Sequence, residues 1–567
     1  MADRPPRRAP IEATADVWWK NAIIYCLDVE TFLDANGDGV GDLDGLMTTV
    51  DYLAGLGVTC LWLMPVHPTP NRDDGYDITD YYAVDERLGT LGDLVEAVRL
   101  ANDRGIRVIL DLVVNHTSDQ HPWFLDARSS PDARHRDWYV WTDDPDAQPF
   151  DTIVFPDSED SAWTWDEEAG QHYLHRFYRH QPDLNIANPE VRDAIGEIAG
   201  FWLAQGIAGF RVDAVPYLLE TDGLEDDLGM DPHHMLRDLR RQIGRRRGDA
   251  ALLGEVNLPP DEARRFFGDG DELDMAFNFH ANQHMWLALA REESGPLLAS
   301  LRDLPDLPTD ATWANFVRSH DELNVGRLAE DERAEVFAAF GPDEDMQLFG
   351  RGLRRRLAPM MGGDLDRIRM VYSLMFSLPG AAVLYYGEEI GMGENLDVPG
   401  RLAVRTPMQW ADGDRAGFSA ADPSALLRPP PDGPYGPDHV NVTDAERTDG
   451  SLLSWMERLI RLRRGSPEVG WGEWEIVESA HEAVVALRHT WGDRALLAVH
   501  NLASEPVDCA LSWAPDPGTR IHQTFDGGAR LAVDEGRATS VSLDRYGTGW
   551  FKLVDVSDGQ VRVGTSP

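Results

Sequence analysis

Eight short apolar runs recur along the chain, separated by stretches with helical spacing of apolar residues. The runs are NAIIYCLDV, VTCLWLMPV, IRVILDLVV, GFRVDAV, ALLGEV, LDMAFNF, WANFVRS and AAVLYYG. Continuous apolar strands of this kind are typical of a parallel sheet covered on its outer face. Intervening stretches such as LDGLMTTVDYLAGLG end at a glycine that can cap a helix. The pattern predicts an α/β fold, a closed (β/α)8 TIM barrel.

Two parts of the chain depart from this alternation. About ninety residues separate the third and fourth strands, too many for a single crossover helix. We therefore predict an inserted subdomain at 115–182, within a barrel formed by 17–114 and 183–466. After residue 466 short alternating segments such as HEAVVALRH and DRALLAVHN predict a C-terminal antiparallel β-sandwich at 467–567.

The N-terminal stretch 1–16, MADRPPRRAPIEATAD, is basic and rich in proline. It lacks the apolar segment of a signal peptide, so it predicts a disordered arm. No stretch of the sequence approaches the ~20 apolar residues that a membrane span requires. We expect a cytoplasmic protein that does not engage a membrane.

Charge and cysteine usage narrow the class of partner. The net charge of −46 over 567 residues argues against nucleic acid and anionic membranes, and a neutral substrate is easier to accommodate. Cys26, Cys60 and Cys509 lie far apart without metal-like spacing and are expected to be buried thiols. The sequence is compatible with a homo-oligomer.

The stretch DANGDGVGDLDG begins like a calcium loop. Asp34, Asn36 and Asp38 offer side-chain oxygens, and Val40 is placed to offer a carbonyl. Position twelve is Gly45 instead of the glutamate of an EF-hand, and the preceding residues indicate a buried strand rather than a helix. The residues alone leave two interpretations open, a calcium site and a solvated acidic turn.

Polar and charged residues lie at the ends of several of the predicted barrel strands. They are Asn115 and His116 with the third strand, Arg211 and Asp213 with the fourth, Glu255 with the fifth, and His320 and Asp321 with the seventh. An acid after a strand can simply cap the next helix. Three acids that converge on one barrel mouth can instead protonate a leaving group and stabilise a cation, which predicts glycosidic-bond chemistry.

The strings DLVVNH, GFRVDAV, GEVN and RSHDE resemble the four conserved regions of the α-amylase superfamily, glycoside hydrolase family 13. The resemblance implies that Asp213 is the nucleophile of a retaining reaction, Glu255 the general acid/base, and Asp321 the acid that fixes the distorted sugar. Arg211 would then keep the nucleophile ionised. The same resemblance implies an enzyme that acts on α-glucosides through a covalent glucosyl-aspartate.

Further positions follow from this resemblance. His116 and His320 match residues that hydrogen-bond the first glucose, and Tyr76, Asp77 and Arg405 match a clamp on a terminal glucose in exo-acting members. The clamp implies short substrates. Ser319 departs from the family pattern, in which asparagine precedes the last His-Asp pair.

The exo-acting branch also implies structural calcium and no organic cofactor. Its first calcium matches ligands in the acidic loop, which are Asp34, Asn36, Asp38, Val40 and Asp42. A second calcium would lie between barrel and insertion. Its ligands would be Asn115, Asp183, Glu220 and the carbonyls of Tyr217 and Leu218.

Stretches such as NHTSDQHPWF, HRFYRHQPDLN and LYYGEEIGMG resemble the branch that interconverts maltose and trehalose. Isomerisation requires a closed, dry pocket, which insertions at 115–182 and 322–363 can supply. The sequence keeps two alternatives, an exo-acting α-glucosidase that hydrolyses short α-glucosides and an inactive carbohydrate-binding relative. The presence of all three acids and Arg211 argues against the second.

Overall fold

Eight parallel strands close into a barrel. The computed structural model describes residues 17–148, 152–219, 233–515, 519–534 and 538–555, so the predicted arm at 1–16 lies outside the described residues. Each barrel strand corresponds to one of the eight predicted apolar runs, and neighbours around the barrel follow the chain order. The predicted (β/α)8 fold is confirmed.

The strands of the described residues are numbered here in chain order. They are β1 (Ile23–Leu27), β2 (Cys60–Leu63), β3 (Arg107–Leu112), β4 (Trp141–Thr142), β5 (Trp163–Asp166), β6 (Gln171–Leu174), β7 (Gly209–Val212), β8 (Ala251–Gly254), β9 (Met275–Phe277), β10 (Thr312–Phe316), β11 (Leu323–Asn324), β12 (Gln347–Leu348), β13 (Gly352–Leu353), β14 (Ala381–Tyr385), β15 (Glu473–Ile476), β16 (Val484–Trp491), β17 (Arg494–Asn501), β18 (Val507–Leu511), β19 (Thr519–Asp534) and β20 (Ala538–Asp555). The barrel consists of β1, β2, β3, β7, β8, β9, β10 and β14.

The helices are numbered in the same way, and most of the long ones connect barrel strands. They are α1 (Leu43–Leu56), α2 (Leu91–Asp103), α3 (Pro122–Ser129), α4 (Pro189–Ala204), α5 (Val215–Leu218), α6 (His234–Arg246), α7 (Pro260–Arg264), α8 (Phe279–Arg291), α9 (Gly295–Arg302), α10 (Glu330–Phe340), α11 (Leu357–Met360), α12 (Leu365–Ser377), α13 (Val442–Arg447), α14 (Leu452–Arg464) and α15 (Glu468–Trp471).

Local chemistry fixes where the crossover helices begin and end. The Asp42 carboxylate accepts a hydrogen bond from the Gly45 N–H and caps α1. At the other end Gly57 takes a left-handed conformation with φ of 99° and caps the last turn. Thr90 and Asp93 form a reciprocal capping box at the start of α2. These caps stop each helix where the chain must turn into the next strand.

Two small antiparallel sheets lie in the long intervals between barrel elements. The first, in the order β4-β6-β5, falls in the interval predicted as an insertion after the third barrel strand. The second, in the order β11-β13-β12, follows the seventh barrel strand. Both intervals leave the barrel at the carboxyl end of a strand, so both lie at the face where a TIM barrel holds its active site.

The strands after residue 472 form one hydrogen-bonded antiparallel sheet, so the antiparallel pairing is confirmed, while the predicted β-sandwich is observed as a single connected sheet. Its order is β15-β16-β17-β20-β18, with the long strand β19 paired along β20. Along β16, Val485 and Leu487 join the barrel core, while Val484 and Ala486 join a separate apolar cluster. Both faces of the sheet are therefore covered along β16, which explains why four consecutive residues, 484–487, are all buried.

None of the three cysteines forms a disulfide, and Cys26 and Cys60 are buried in the barrel. Cys509 is half-buried in the C-terminal sheet. Within the described residues, the helices are all too short or too polar to cross a bilayer.

Candidate active site

The three predicted catalytic acids meet in one cavity at the carboxyl end of the barrel. Asp213 directly follows β7, Glu255 directly follows β8, and Asp321 lies in the segment after β10. All three line a cavity of about 520 Å³. The barrel topology alone brings them together, because parallel strands end at the same face.

One buried guanidinium bridges two of these acids. Arg211, on β7, donates from Nη1 to Asp213 Oδ1, and from Nη2 to Glu255 Oε2 at 2.7 Å. The backbone N–H of Ala214, which has a left-handed φ of 49°, also points at Glu255 Oε2, at 3.3 Å. A single cation thus holds both carboxyls within reach of one sugar, and the strained residue after Asp213 helps to set that geometry.

Burial shifts both bridged carboxyls toward the protonated form. The pKa of Glu255 is raised to about 7, chiefly by burial and further by the nearby negative charges of Asp213 and Asp321. Its side chain is 28% exposed and lines the cavity, and desolvation is the largest cause of the shift. Burial also raises the pKa of Asp213, to about 6, against the opposing charge of Arg211. Arg211 lowers the pKa of Asp213, as expected, but burial outweighs this one shared cation, so the net shift is upward.

Asp321 has the opposite environment. Arg401 Nη1 lies 3.0 Å and Arg405 Nη2 lies 3.1 Å from its Oδ1, and His320 Nε2 lies 3.3 Å from its Oδ2. Burial acts to raise its pKa, but the charges of Arg401 and Arg405, together with the adjacent His320 ring, outweigh it and hold the pKa well below the usual range. Asp321 is therefore ionised over the pH range in which Asp213 and Glu255 gain and lose their protons.

A fourth carboxylate, which the sequence analysis did not single out, supports the bridging arginine from behind. Asp111, on β3, is 1% exposed and accepts from Arg211 Nη1 at 2.7 Å and from Trp62 Nε1 at 2.7 Å. The hydroxyl of Tyr76 lies 3.3 Å from the same carboxylate. The signal was present in the sequence, since an aspartate within the apolar run IRVILDLVV is costly unless it is paired.

The aromatic and histidine residues expected around the first sugar also line the cavity. Tyr76 and His320 lie with their rings nearly parallel at 5.7 Å, and the Tyr76 hydroxyl is 2.8 Å from His320 Nε2. His116 Nε2 is 3.2 Å from the Tyr76 carbonyl oxygen. Burial lowers the pKa of His116 to about 3 and that of His320 well below its usual range. Both imidazoles are neutral and can hydrogen-bond sugar hydroxyls without adding charge.

The structure corrects the predicted terminal-glucose clamp. Neither Asp77 nor Arg405 is among the described residues that line the cavity. Asp77 is fully buried and accepts from Thr69 Oγ1 at 2.8 Å, because the turn around Gly75, with φ of 92°, points it away from the barrel mouth. Arg405 reaches Asp321 from behind and is 1% exposed.

Asp73 and Arg401 occupy the cavity wall where the clamp was expected. Asp73 lies four residues before Asp77, and Arg401 lies four residues before Arg405. Burial raises the pKa of Asp73 to about 6. Ser319 also lines the cavity, and its Oγ accepts from the Asp321 N–H at 3.4 Å. The shorter side chain thus still contacts Asp321 in this structure.

Comparison with known proteins agrees with this geometry. A family model described as the catalytic domain of alpha amylase matches residues 27–340 and 352–472. The chain belongs to the α-amylase family. The matched ranges contain seven of the eight barrel strands, the last residue of β1, and all three acids of the cavity.

Among curated members of the α-amylase family, trehalose synthases are similar over most of this chain. The trehalose synthase of Pimelobacter sp. (strain R48) is 39% identical over 95% of this chain and 96% of its own length. The trehalose synthase/amylase of Mycolicibacterium smegmatis is 41% identical over 88% of this chain and 86% of its own length. An oligo-1,6-glucosidase of Bacillus cereus is 30% identical over 94% of this chain and 99% of its own length.

A solved structure shows the same architecture. The α-amylase from H. orenii superposes with a TM-score of 0.75 at 27% identity and covers 94% of this chain and 99% of its own chain. The barrel and the C-terminal sheet therefore recur together in this α-amylase family neighbour.

The acidic loop before α1 contains the residue types of a calcium ligand set, and its calcium site stays a prediction. Asp34 and Asp42 are each 5% exposed, and their described hydrogen bonds come from backbone N–H groups and from Ser419 rather than from a cation. Asn36 and Asp38 each accept a backbone N–H at 2.9 Å from within the loop. Buried carboxylates with hard oxygen ligands around them are the donor set that calcium prefers.

The second expected calcium site has a different character. Asp183 accepts from Arg176 Nη1 at 2.7 Å, and the Asn115 amide lies 3.4 Å from its other oxygen. Glu220 lies outside the described residues, while Tyr217 and Leu218 belong to α5. A guanidinium pairs with the Asp183 carboxylate in the described part of the chain, and the second calcium site stays a prediction.

One further cluster of buried carboxylates is also neutralised by arginines. Oxygens of Asp28, Glu30 and Asp74 lie within 4.8 Å of one another. Arg428 contacts all three, and Arg405 Nη1 lies 2.9 Å from Asp74 Oδ2. The cluster braces the cavity wall behind Arg405 and has no need of a metal ion.

The two small sheets meet at the cavity wall. Phe155, which lines the cavity, packs against Phe349 at 5.0 Å, and the Phe349 N–H donates to Asp157 Oδ2 at 2.9 Å. The Arg401 guanidinium lies 4.7 Å from the Phe155 ring. Phe349 adopts a left-handed φ of 56°, a conformation that a bulky residue holds only where its surroundings impose it. The two insertions thus form one contiguous wall beside the catalytic acids.

Proposed function

We propose that this protein interconverts maltose and trehalose by intramolecular transfer of a glucosyl group, with retention of configuration at the transferred carbon. The observation that carries the proposal is the pair Asp213 and Glu255, bridged by one guanidinium inside a walled cavity. The similarity to trehalose synthases over most of the chain supports the choice of sugars.

The first half-reaction uses the pair in opposite protonation states. Glu255 carries the proton, because its pKa is the higher of the two, and delivers it to the oxygen between the two glucose units. Asp213, ionised, attacks the anomeric carbon as the bond to that oxygen breaks. The products are a β-glucosyl ester on Asp213 and a freed glucose. Asp321, held ionised, stabilises the positive charge that develops on the sugar ring.

The second half-reaction reverses these roles. Glu255, now a carboxylate, takes the proton of the anomeric hydroxyl of the retained glucose, and that oxygen attacks the glucosyl carbon. The ester bond to Asp213 breaks and the carboxylate is restored. Two inversions give net retention, so an α,α-linked disaccharide forms. Capture by water at this step gives glucose instead.

Retention of the freed glucose requires that water be kept out. The wall formed by Phe155, Phe349 and Asp157 supports this requirement, since it joins the two insertions beside Asp321. A cavity of about 520 Å³ is in the size range of small-molecule sites and suits a short sugar better than a polysaccharide.

Hydrolysis of short α-glucosides is the second candidate. The similarity to an oligo-1,6-glucosidase over 94% of this chain favours it, and the chemistry of the first half-reaction is shared. The third candidate, an inactive carbohydrate-binding relative, is disfavoured because all three acids and the bridging arginine are in place.

One incubation separates these candidates. Purified protein is mixed with maltose alone, and the sugars are resolved by chromatography over time. Trehalose with minor glucose supports the proposal, glucose as the only product supports the glucosidase, and no turnover of any α-glucoside supports the binding role. The same incubation started from trehalose should yield maltose.

We further infer a structural calcium ion at Asp34, Asn36, Asp38, Val40 and Asp42, and a cytoplasmic location. The buried, cation-free carboxylates of the loop support the first, and the three unpaired cysteines support the second. The net charge of −46 supports a neutral sugar rather than nucleic acid as partner.

A further inference from the structure

We propose that Arg327 is a specificity-determining residue that holds the departing sugar and so decides whether the glucosyl-enzyme is captured by that sugar or by water. The inference rests on the proposed function and deepens it. It starts from the position of Arg327 on the cavity wall, in the segment between β11 and α10.

The cavity has two sides. The residues around Asp321, which include Asp73, His116 and Arg401, enclose the sugar that becomes attached to the enzyme. The departing sugar must lie on the side of Glu255, because Glu255 delivers the proton to the oxygen that leaves. Arg327 lies on this second side.

Hydrogen bonds fix Arg327 relative to the loop of the acid/base. Its Nε donates to the Asn257 carbonyl oxygen at 2.7 Å, and Asn257 follows Glu255 by two residues. Gln283, 1% exposed on α8, accepts from the Arg327 backbone N–H at 3.0 Å and donates to the Asn257 amide oxygen at 3.3 Å. The stem of the arginine is therefore held in place while its terminal nitrogens extend beyond these contacts.

Arg327 differs from the other cavity arginines in its charge balance. Arg211 is shared between Asp213 and Glu255, Arg401 between Asp321 and Glu322, and Arg351 lies 3.4 Å from Glu322. For Arg327, no carboxylate of the described residues lies within 4.0 Å, and Glu262 acts on it only over a longer distance. Its two terminal nitrogens have no hydrogen-bond partner in the described part of the chain.

A guanidinium of this kind suits a neutral sugar. Its terminal N–H groups form a planar fork that can donate to two neighbouring hydroxyls at once. Neither sugar hydroxyl needs to carry a charge. A neutral ligand of this kind is compatible with the strongly acidic protein. A freed glucose held by this fork stays beside Glu255 long enough to turn and attack through its anomeric hydroxyl.

The test compares Arg327→Gln, Arg327→Lys and a control, Arg333→Gln, in the full-length protein. Arg333 lies on α10 and is not among the residues that line the cavity. Release of nitrophenol from 4-nitrophenyl α-glucoside reports formation of the glucosyl-enzyme without a sugar leaving group. The ratio of glucose to trehalose formed from maltose reports capture by water against capture by sugar.

In Arg327→Gln we expect nitrophenol release within about 3-fold of the parent and a glucose-to-trehalose ratio roughly 10-fold higher, the scale of one lost charged hydrogen bond. The concentration of added glucose that halves capture by water should rise by a similar factor. Arg327→Lys should fall between the parent and Arg327→Gln, and Arg333→Gln should match the parent. If Arg327→Gln fails to fold, Arg327→Lys carries the test with the same direction of change.

The outcomes distinguish this inference from the proposed function. A parent enzyme that yields only glucose contradicts both. A parent enzyme that yields trehalose, with an unchanged product ratio in Arg327→Gln, contradicts the role of Arg327 alone. Equal losses of nitrophenol release and of trehalose formation would assign Arg327 to general stability of the site and would also overturn the inference.

Discussion

The cavity contains two kinds of carboxyl environment, which differ in the number of arginines that contact each acid. Asp213 and Glu255 share the single guanidinium of Arg211, whereas Asp321 alone receives Arg401 and Arg405. Burial raises the pKa of the first two acids, to about 6 and about 7. In Asp321 the two arginines reverse the effect of burial and hold the pKa low.

The difference shows how one cavity can hold a permanent anion beside a pair that exchanges a proton. Desolvation acts on all three acids in the same direction, so it cannot distinguish them. The distribution of arginines does so. One shared cation leaves the pair with pKa values near neutral pH, and contacts from two arginines keep the third acid ionised as a charge stabiliser.

The largest effect should come from removing either member of the proton-exchanging pair. Asp213→Asn and Glu255→Gln should each lower kcat/KM for maltose by at least ~10³-fold, the scale of a lost nucleophile or acid/base. Glu255→Gln should still release a burst of nitrophenol from 4-nitrophenyl α-glucoside, because that leaving group needs little protonation, while Asp213→Asn should not. The control is Glu335→Gln, an exposed carboxyl on α10 that pairs with Arg291. Activity near that of the parent in either variant would show that the site is misassigned.

The second effect targets the arginines of Asp321. Arg401→Met removes one of its two guanidiniums and should lower kcat/KM by roughly 10²-fold, the scale of one lost charge-stabilising donor. Arg351→Met is the matched comparison, because it removes a cavity arginine that contacts Glu322 but not Asp321, and it should cost much less. Initial rates on maltose measure the loss. Equal losses in the two variants would mean that the charge on Asp321 does not depend on Arg401.

A third effect appears in the pH dependence of kcat/KM. Asp213 must be ionised, so activity should fall as pH drops below about 6, and Glu255 must be protonated, so it should fall as pH rises above about 7. The apparent pKa values of the two limbs belong to the Asp213–Glu255 pair as a unit and not to either residue alone. One pH unit outside either limb the rate should be about 10-fold lower. A profile that is flat from pH 5 to pH 8 would contradict the shared-cation account.

The smallest effect concerns the calcium loop. Removing its ion should leave the difference between the Asp213–Glu255 pair and Asp321 unchanged. Chelation of calcium should lower Tm by roughly 2 to 5 °C, since an ion at a hundred times its Kd contributes about 2.7 kcal/mol. The pH limbs should not move. Asp38→Asn should reduce the response of Tm to added calcium, and Asp51→Asn, an exposed carboxylate paired with Arg104, should not. Identical Tm values with and without calcium would leave the acidic-turn interpretation in place.

The barrel was predictable because each of its strands is a short, unbroken apolar run, and a fully buried strand requires such a run. Helix ends were predictable where a glycine must adopt a left-handed conformation, as at Gly57. The acids Asp213, Glu255 and Asp321 were predictable for a related reason, since a carboxylate directly after an apolar strand falls at the barrel mouth.

The clamp residues were not predictable from their motifs. In NRDDGYD the chain passes through left-handed conformations at Asn71, Asp74 and Gly75, with φ of 57°, 53° and 92°. Such a turn has no regular period, so the sequence cannot state which of its acids faces the cavity. The net pKa of Asp213 was not predictable for a different reason, because its burial and the sharing of Arg211 with Glu255 are properties of the folded site.

The most direct test of the central claim is to trap the covalent intermediate and locate it. The protein is incubated with 5-fluoro-α-glucosyl fluoride, which slows release of the sugar from a retaining enzyme, and its peptides are then measured by mass spectrometry. The account predicts one fluoroglucosyl group on the peptide that contains Asp213, and none in the Asp213→Asn variant. A group attached to Glu255 or Asp321, or turnover of the reagent without any attached group, would contradict it.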